Sequence, residues 1–293
     1  MSEIRTVGVL SPGDMGHSVG ALLGQKGLRV ITCLRDRSAR TRQLAAEAHI
    51  EDVPTYHDLV RQADVILAIL VPAQAMNAAQ RVAQVIAEQG APVVYADCNA
   101  IAPQTSRAIG DLIAQAGGVY VGASIVGGPP RGESRPRFYA CGPDTKAFQA
   151  LGAYGLDVTV LGTEIGLASA IKMCYAAWTK GSTALLTELL TAAQALGVFD
   201  ALAKEFDASQ PMLKVRMQRL PAIPIKSRRF VGEMREIAKT FDGVGLTPDM
   251  LSGAADVYQL VGGTHLADRT PEDTEPLPSL EDMLSILVAH LSE

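Results

Sequence analysis

The chain has 293 residues, 48% of them hydrophobic and 19% charged, a globular profile that excludes intrinsic disorder. A net charge of −5 provides no overall attraction to nucleic acid, and the apolar run at 65–71 is far shorter than the ~20 residues of a membrane helix. The four cysteines, Cys33, Cys98, Cys141 and Cys174, are widely spaced and form no CxxC pair, so they read as reduced thiols and not as a disulfide or metal framework.

The first residues, Met-Ser-Glu-Ile-Arg, lack the charged-then-apolar layout of a signal peptide, and a soluble cytoplasmic protein is expected. Short apolar runs at 6–10, 29–33, 65–70, 93–97 and 119–124 read as strands. Amphipathic stretches at 15–26, 38–48, 75–89 and 103–116 lie between them. Parallel strands need crossover helices, so this alternation predicts an α/β unit with a doubly wound, mostly parallel sheet. Runs at 137–141 and 157–161 extend it. Beyond Gly162 the pattern becomes helical. Residues 165–196 contain no proline and are followed by Gly197, which predicts one long helix with a left-handed cap. Further helices are expected at 210–220, 230–241, 248–260 and 279–291, with an acidic, proline-rich connector at 268–278. The expected division is an α/β domain over 1–162 and an all-helical domain over 163–293.

The segment Ser11-Pro12-Gly13-Asp14-Met15-Gly16 stands between the first strand and the first helix. A G-x-G-x-x-G turn there uses its first glycine for the tight turn, its second for close approach of a pyrophosphate and its third for helix packing. Gly13 and Gly16 keep the second and third roles; Ser11 replaces the first glycine, and the following Pro12 favours an extended Ser11. The turn alone is equally compatible with an ordinary strand-to-helix connection. Its position after a strand and before a helix favours a dinucleotide site, with Ser11, Pro12, Gly13, Asp14 and Met15 against the pyrophosphate. The second strand ends Cys33-Leu34-Arg35-Asp36-Arg37-Ser38. Arg35, Arg37 and Ser38 there suit the 2′-phosphate of NADP(H), whereas Asp36 would suit the ribose of NADH after a shift of register. NADPH is the expected cofactor and NADH the alternative. Ser38 also reads as a helix cap.

Four segments in chain order resemble the β-hydroxyacid dehydrogenases, relatives of 6-phosphogluconate dehydrogenase. They are the glycine turn ending Asp14-Met15-Gly16; Ala68-Ile69-Leu70-Val71-Pro72; Asp97-Cys98-Asn99-Ala100-Ile101-Ala102-Pro103; and Gly162-Thr163-Glu164-Ile165-Gly166 followed by Lys172. Residues 228–241, RRFVGEMREIAKTF, resemble the helical domain of a phosphogluconate-dehydrogenase-like branch. The resemblance implies an N-terminal Rossmann domain, cofactor contacts from Val71, Pro72 and Asn99, a catalytic Lys172 and a helical domain that forms a homodimer. It implies hydride transfer to or from a small substrate, acidic or neutral, held at Val126-Gly127-Gly128. Three departures stand out: Val126 replaces a serine, Tyr175 an asparagine, and Asn99-Ala100 a Ser-Thr pair.

Lys172 would protonate a developing alkoxide, with Tyr175 beside it; Asn99 either positions the nicotinamide or the substrate oxygen or serves only as a turn or helix cap. At 100° per residue Lys172, Thr179 and Thr183 share a helix face, opposite Ala170, Cys174, Ala177 and Gly181. Thr179 is therefore a candidate substrate contact. Arg131, Arg135 and Arg137 hint at an anionic substrate, or form a solvated loop. Phe230, Met234, Ile237 and Phe241 make an apolar stripe suited to core or dimer interface. The five histidines form no ligand cluster, so no metal is expected. Imine reduction and a catalytically inactive dinucleotide sensor remain as alternatives to a carbonyl reductase.

Overall fold

The computed structural model describes residues 3–90 and 92–291, and the chain divides into two compact units, 1–173 and 174–293. The first unit holds strands β1 (Thr6–Leu10), β2 (Arg29–Thr32), β3 (Glu51–Asp52), β4 (Val65–Ala68), β5 (Val94–Asp97), β6 (Val119–Val126), β7 (Arg137–Cys141) and β8 (Asp157–Gly162). They form a sheet in the order β3-β2-β1-β4-β5-β6-β7-β8, parallel throughout except for the antiparallel β6–β7 pair. Helices α1 (Asp14–Gln25), α2 (Ala39–Glu47), α3 (Tyr56–Gln62), α4 (Pro72–Gln89), α5 (Pro103–Gln115) and α6 (Lys146–Ala150) connect the strands.

Successive residues of β1 serve opposite cores. Val7 and Val9 join Val19, Leu23 and Phe148, while Leu10 joins Ile66, Tyr95 and Ile109. Burial on both faces is why β1, β4, β5 and β6 read as continuous apolar runs. It also explains why β3 and α3 escape the sequence pattern: they have only two and seven residues, and both β3 residues are exposed.

The turn after β1 departs from expectation. Ser11 is not extended but left-handed, with φ 58°, and its carbonyl accepts a 2.7 Å hydrogen bond from the N–H of Gly13. The tight turn overrides the preference imposed by Pro12. Gly16 is required by packing, since a Cβ there would lie 3.0 Å from the Ser11 carbonyl oxygen. Gly13 has φ −78°, and a Cβ on it would meet nothing nearer than 4.0 Å. The chain's own packing does not demand that glycine.

Helix α7 (Leu167–Ala176) leads into a π-helical turn at Ala177–Gly181 and then α8 (Ser182–Ala195). The predicted long helix therefore exists, but its phase is not uniform. The face reading that grouped Lys172 with Thr179 and Thr183 assumed 100° per residue, and the wider π turn breaks that count. Three carbonyls of this turn accept from side chains: Ser182 donates to Trp178 O, Thr183 to Thr179 O at 2.8 Å, and Tyr258 to Lys180 O at 2.8 Å.

The second unit continues with α9 (Phe199–Ser209), α10 (Met212–Met217), α11 (Pro224–Asp242), α12 (Asp249–Gly263) and α13 (Leu280–His290). Helix α9 was not read from the sequence, and the expected helix at 210–220 is shorter, giving way to a 3₁₀ turn at Leu220–Ala222. Phe230, Met234 and Ile237 are buried inside this unit, so most of the apolar stripe is core. The Phe230 ring meets Tyr258 edge-on at 5.2 Å, and the Lys180–Glu233 ion pair at 2.6 Å ties the π turn to α11. Among the described residues no strand follows β8, and no helix is long and apolar enough to cross a membrane.

A side chain held left-handed costs on the order of 1 kcal/mol, so Ser11→Gly should raise unfolding stability by up to about 1 kcal/mol despite glycine's entropy. Thermal denaturation of the two proteins checks this; a lower melting temperature for the variant would show that the serine hydroxyl contributes more than its strain costs.

Candidate functional site

Strands β1, β2, β4, β5 and β6 all end on one edge of the sheet. The order reverses at β1, whose neighbours β2 and β4 lead their helices to opposite faces and open a crevice at the strand ends. Helix α1 begins there without a side-chain cap, because its N-cap is Gly13. The N–H groups of Asp14, Met15 and Gly16 in its first turn have no acceptor within the helix, a general property of helix starts. Open space at Gly13, uncapped N–H groups and the positive end of the helix dipole fit the pyrophosphate of a dinucleotide.

Arg131, in the loop between β6 and β7, closes over the outer side of this helix start. It donates to Asp14 Oδ1 at 2.5 Å, to Asp14 O at 2.9 Å and, through Nε, to Ser18 Oγ at 2.8 Å. His17 Nε2 lies 3.2 Å from the same guanidinium, and its Nδ1 lies 2.7 Å from Gly13 O. Arg135 turns back onto the carbonyls of Gly132 and Ser134. These two arginines therefore organise their own loop and the first turn of α1.

Beyond β2, Asp36 is left-handed with φ 61°, in a turn closed by the Arg37 N–H on Leu34 O at 3.1 Å. A cavity of about 190 Å³ opens beside it, lined by Arg35, Arg37, Tyr56, Gln74, Asn77 and Arg81 among others. Arg37 donates to the Tyr56 hydroxyl at 3.0 Å, and the Arg81 guanidinium lies 6.0 Å from the Tyr56 ring centre. Arg81 was missed by sequence reasoning; it arrives from α4, and only the folded sheet brings it beside the end of β2. Ser38 caps α2, its hydroxyl accepting from Thr41 N at 3.2 Å. Val71 is exposed and Pro72 opens α4.

At the end of β5, Asn99 is buried. Its Oδ1 accepts from Leu70 N at 2.5 Å, which ties it to the end of β4, while its Nδ2 has no hydrogen-bond partner. A buried amide without a partner normally costs free energy, and it fits a site that completes its hydrogen bonding with a ligand. Asp97, two residues earlier, is also buried. Its Oδ1 accepts from Asn99 N at 2.9 Å and its Oδ2 has no partner. Burial pushes this carboxyl up to about 7, against the opposing pull of the Asn99 N–H. The sequence gives Asp97 no evident role, because burial is not visible in the motif.

Lys172 lies on α7, with its Nζ donating to the Ile125 carbonyl at 2.5 Å. It is thereby held at the end of β6, immediately before Val126-Gly127-Gly128. Val126 is buried in the β6–β7 pair and offers no side-chain contact to a ligand. Gly127 has φ 124°, and a Cβ there would lie 3.1 Å from Pro136, so its glycine is a requirement of the loop. Gly128 is exposed. The first unit thus gathers the turn at Ser11–Met15, Arg35, Arg37, Ser38, Val71, Pro72, Asn99, Gly127, Gly128 and Lys172 along one sheet edge. Tyr175 and Thr179 belong to the second unit. Tyr175 is 46% exposed and not a core tyrosine, and Thr179 donates its hydroxyl to Tyr175 O at 3.2 Å. No metal-binding cluster of His, Cys, Asp or Glu occurs among the described residues.

Comparison with known proteins agrees with this geometry. Residues 6–162, more than half the chain, match the NAD binding domain of 6-phosphogluconate dehydrogenase, and residues 193–261 match a domain of unknown function, DUF1932. The chain belongs to that NAD-binding family, the cofactor domain of an NAD(P)-dependent oxidoreductase. Among solved structures, the conserved protein MTH1747, described as similar to 3-hydroxyacid dehydrogenases, is 29% identical with a TM-score of 0.66, over 90% of this chain and 100% of its own. The 3-hydroxyisobutyrate dehydrogenase of Mycobacterium tuberculosis shares the fold at 17% identity and a TM-score of 0.71, over 97% of this chain and 99% of its own. An imine reductase from Myxococcus stipitatus, solved with NAD+, shares it at 15% identity and a TM-score of 0.55, over 99% and 100%.

Between about pH 4 and about pH 7 the folded chain keeps a proton on Asp97 that the unfolded chain has lost. This group therefore lowers stability as pH rises through that window, by up to about 1.4 kcal/mol per pH unit. Asp97→Asn, which keeps the acceptor for Asn99 N, should flatten the fall. Urea denaturation of both proteins at about pH 5 and about pH 7 measures it, and an unchanged slope would show that Asp97 does not carry this proton.

Proposed function

We propose that this protein is an NADPH-dependent reductase of a small carbonyl compound, or a dehydrogenase of the matching alcohol, with Lys172 handling the proton. The observation that carries the reading is the Lys172 ammonium held on the Ile125 carbonyl, one residue before the Val126-Gly127-Gly128 segment. When bound, the dinucleotide supplies the hydride and accepts it back in the reverse direction. Lys172 gives its proton to the oxygen that becomes a hydroxyl, and takes one in reverse. Gly127 and Gly128, both exposed, offer their backbone N–H groups to an oxygen of the substrate. Asn99, with its unpartnered Nδ2, orients the carboxamide end of the cofactor or the reacting oxygen.

The preference for NADPH is supported by the arginine-lined cavity at Arg35, Arg37 and Arg81, where guanidinium groups suit a phosphate dianion. Asp36 lines the same cavity but is tied into a tight turn. Imine reduction is the second reading, favoured by the fold shared with imine reductases. Lysine at this position argues for the carbonyl. The family resemblance favours a homodimer through the helical unit, and four unpaired cysteines fit a cytoplasmic setting.

Lys172→Ala separates catalysis from binding. Its turnover of a carbonyl substrate found by screening should fall at least about 100-fold, the usual worth of a positioned proton donor, while NADPH affinity stays within a few-fold. A variant that keeps its turnover would exclude Lys172 as the proton donor.

A further inference from the structure

The second unit carries a pocket of its own. Its volume is about 390 Å³, and Leu186 and Leu220, both buried, form its apolar floor. Trp178 stands at the wall, 69% exposed although it is the largest side chain in the unit and the only tryptophan in the sequence. The Arg216 guanidinium lies 5.8 Å from the centre of the indole ring and donates to Ser182 Oγ; Arg219, one turn further along, lines the same pocket. Thr183 also faces it, but its hydroxyl proton is donated to Thr179 O, so the oxygen presents only lone pairs.

The charges around the pocket are uneven. Lys180, Lys214, Arg228 and Arg229 in this unit each meet a carboxylate. Among the described residues Arg216 and Arg219 meet none, as is also true of Lys204, Lys226, Arg235 and Arg269; what sets the two apart is that both line the pocket. Two forked cations without a counter-ion, above an apolar floor and beside an exposed indole, suit one kind of ligand. An oxyanion pairs with the guanidinium donors, and a flat or branched apolar body lies along Trp178 and over the leucines. The π turn at Ala177–Gly181 is what presents Trp178 and Thr179 here while the Lys180 side chain goes to Glu233. Turns of this kind recur at functional sites.

We infer that the pocket bounded by Trp178, Arg216 and Arg219 binds a small organic oxyanion with an apolar body, as a carboxylate or a phosphate ester. The volume lies within the range of small-molecule sites and suits one such ligand. The pocket is lined by residues of the second unit alone, and its test needs no dinucleotide.

Trp178 is its own reporter. Intrinsic fluorescence of the full chain, without dinucleotide, is titrated with phenylacetate, phenyl phosphate and the neutral phenylacetamide. Saturable emission changes with one or both anions are expected, the tighter of the two identifying the oxyanion, and with phenylacetamide at least about tenfold weaker. Arg216→Gln with Arg219→Gln should abolish the response to anions without changing the far-ultraviolet circular dichroism; Arg219→Gln alone, at an exposed position, should weaken it several-fold. Equal responses to phenylacetamide and phenylacetate, no saturable response to either anion, or an undiminished response in Arg219→Gln would overturn the inference. So would emission that follows protein concentration but not anion, which would make this face a contact between copies.

Discussion

Parallel pairing of β1 with both β2 and β4 is the constraint from which the site follows. Parallel strands must be joined by crossovers, and the two crossovers around β1 leave it on opposite faces of the sheet. The ends of β1 and β4 therefore border a crevice that no connection fills. Helix α1 starts at its rim with an uncapped end, and Asn99 is pinned inside through Leu70. The edge brings together residues separated by most of the first unit's length.

The crevice is built at some cost in local stability. Ser11 is held left-handed, Asn99 buries an amide without a partner, and Asp97 buries a carboxyl whose second oxygen has none. Such groups are retained where a ligand or a proton uses them, and here they surround one strand edge. The Lys172 ammonium is the counterpart across the site, fixed by a backbone carbonyl of β6.

Much of this was legible in the sequence for a definite reason. Strands buried on both faces appear as apolar runs, so β1, β4, β5 and β6 were placed within a residue or two. The glycine turn and Lys172 were legible because their spacing relative to a strand or helix is local. What escaped depends on distant partners. The conformation of Ser11 is set by a turn that closes on Gly13, and Arg81 reaches the end of β2 only through the fold. The π turn persists because Ser182, Thr183 and Tyr258 take its carbonyls, and Tyr258 lies on another helix. Short elements such as β3 and α3 carry too few residues for any periodicity to register.

The central claim is that the crevice at β1 and β4 holds a dinucleotide and that the arginines beside β2 read a 2′-phosphate. Calorimetric titration of the purified protein with NADPH and, separately, NADH tests it most directly. Saturable NADPH binding at least about tenfold tighter than NADH binding is the predicted result, since a phosphate paired with guanidinium groups is worth upward of 1 kcal/mol. Equal affinities, or tighter NADH binding, would contradict the assignment of Arg35, Arg37 and Arg81. Failure of both to bind in the micromolar range would contradict the account of the crevice itself.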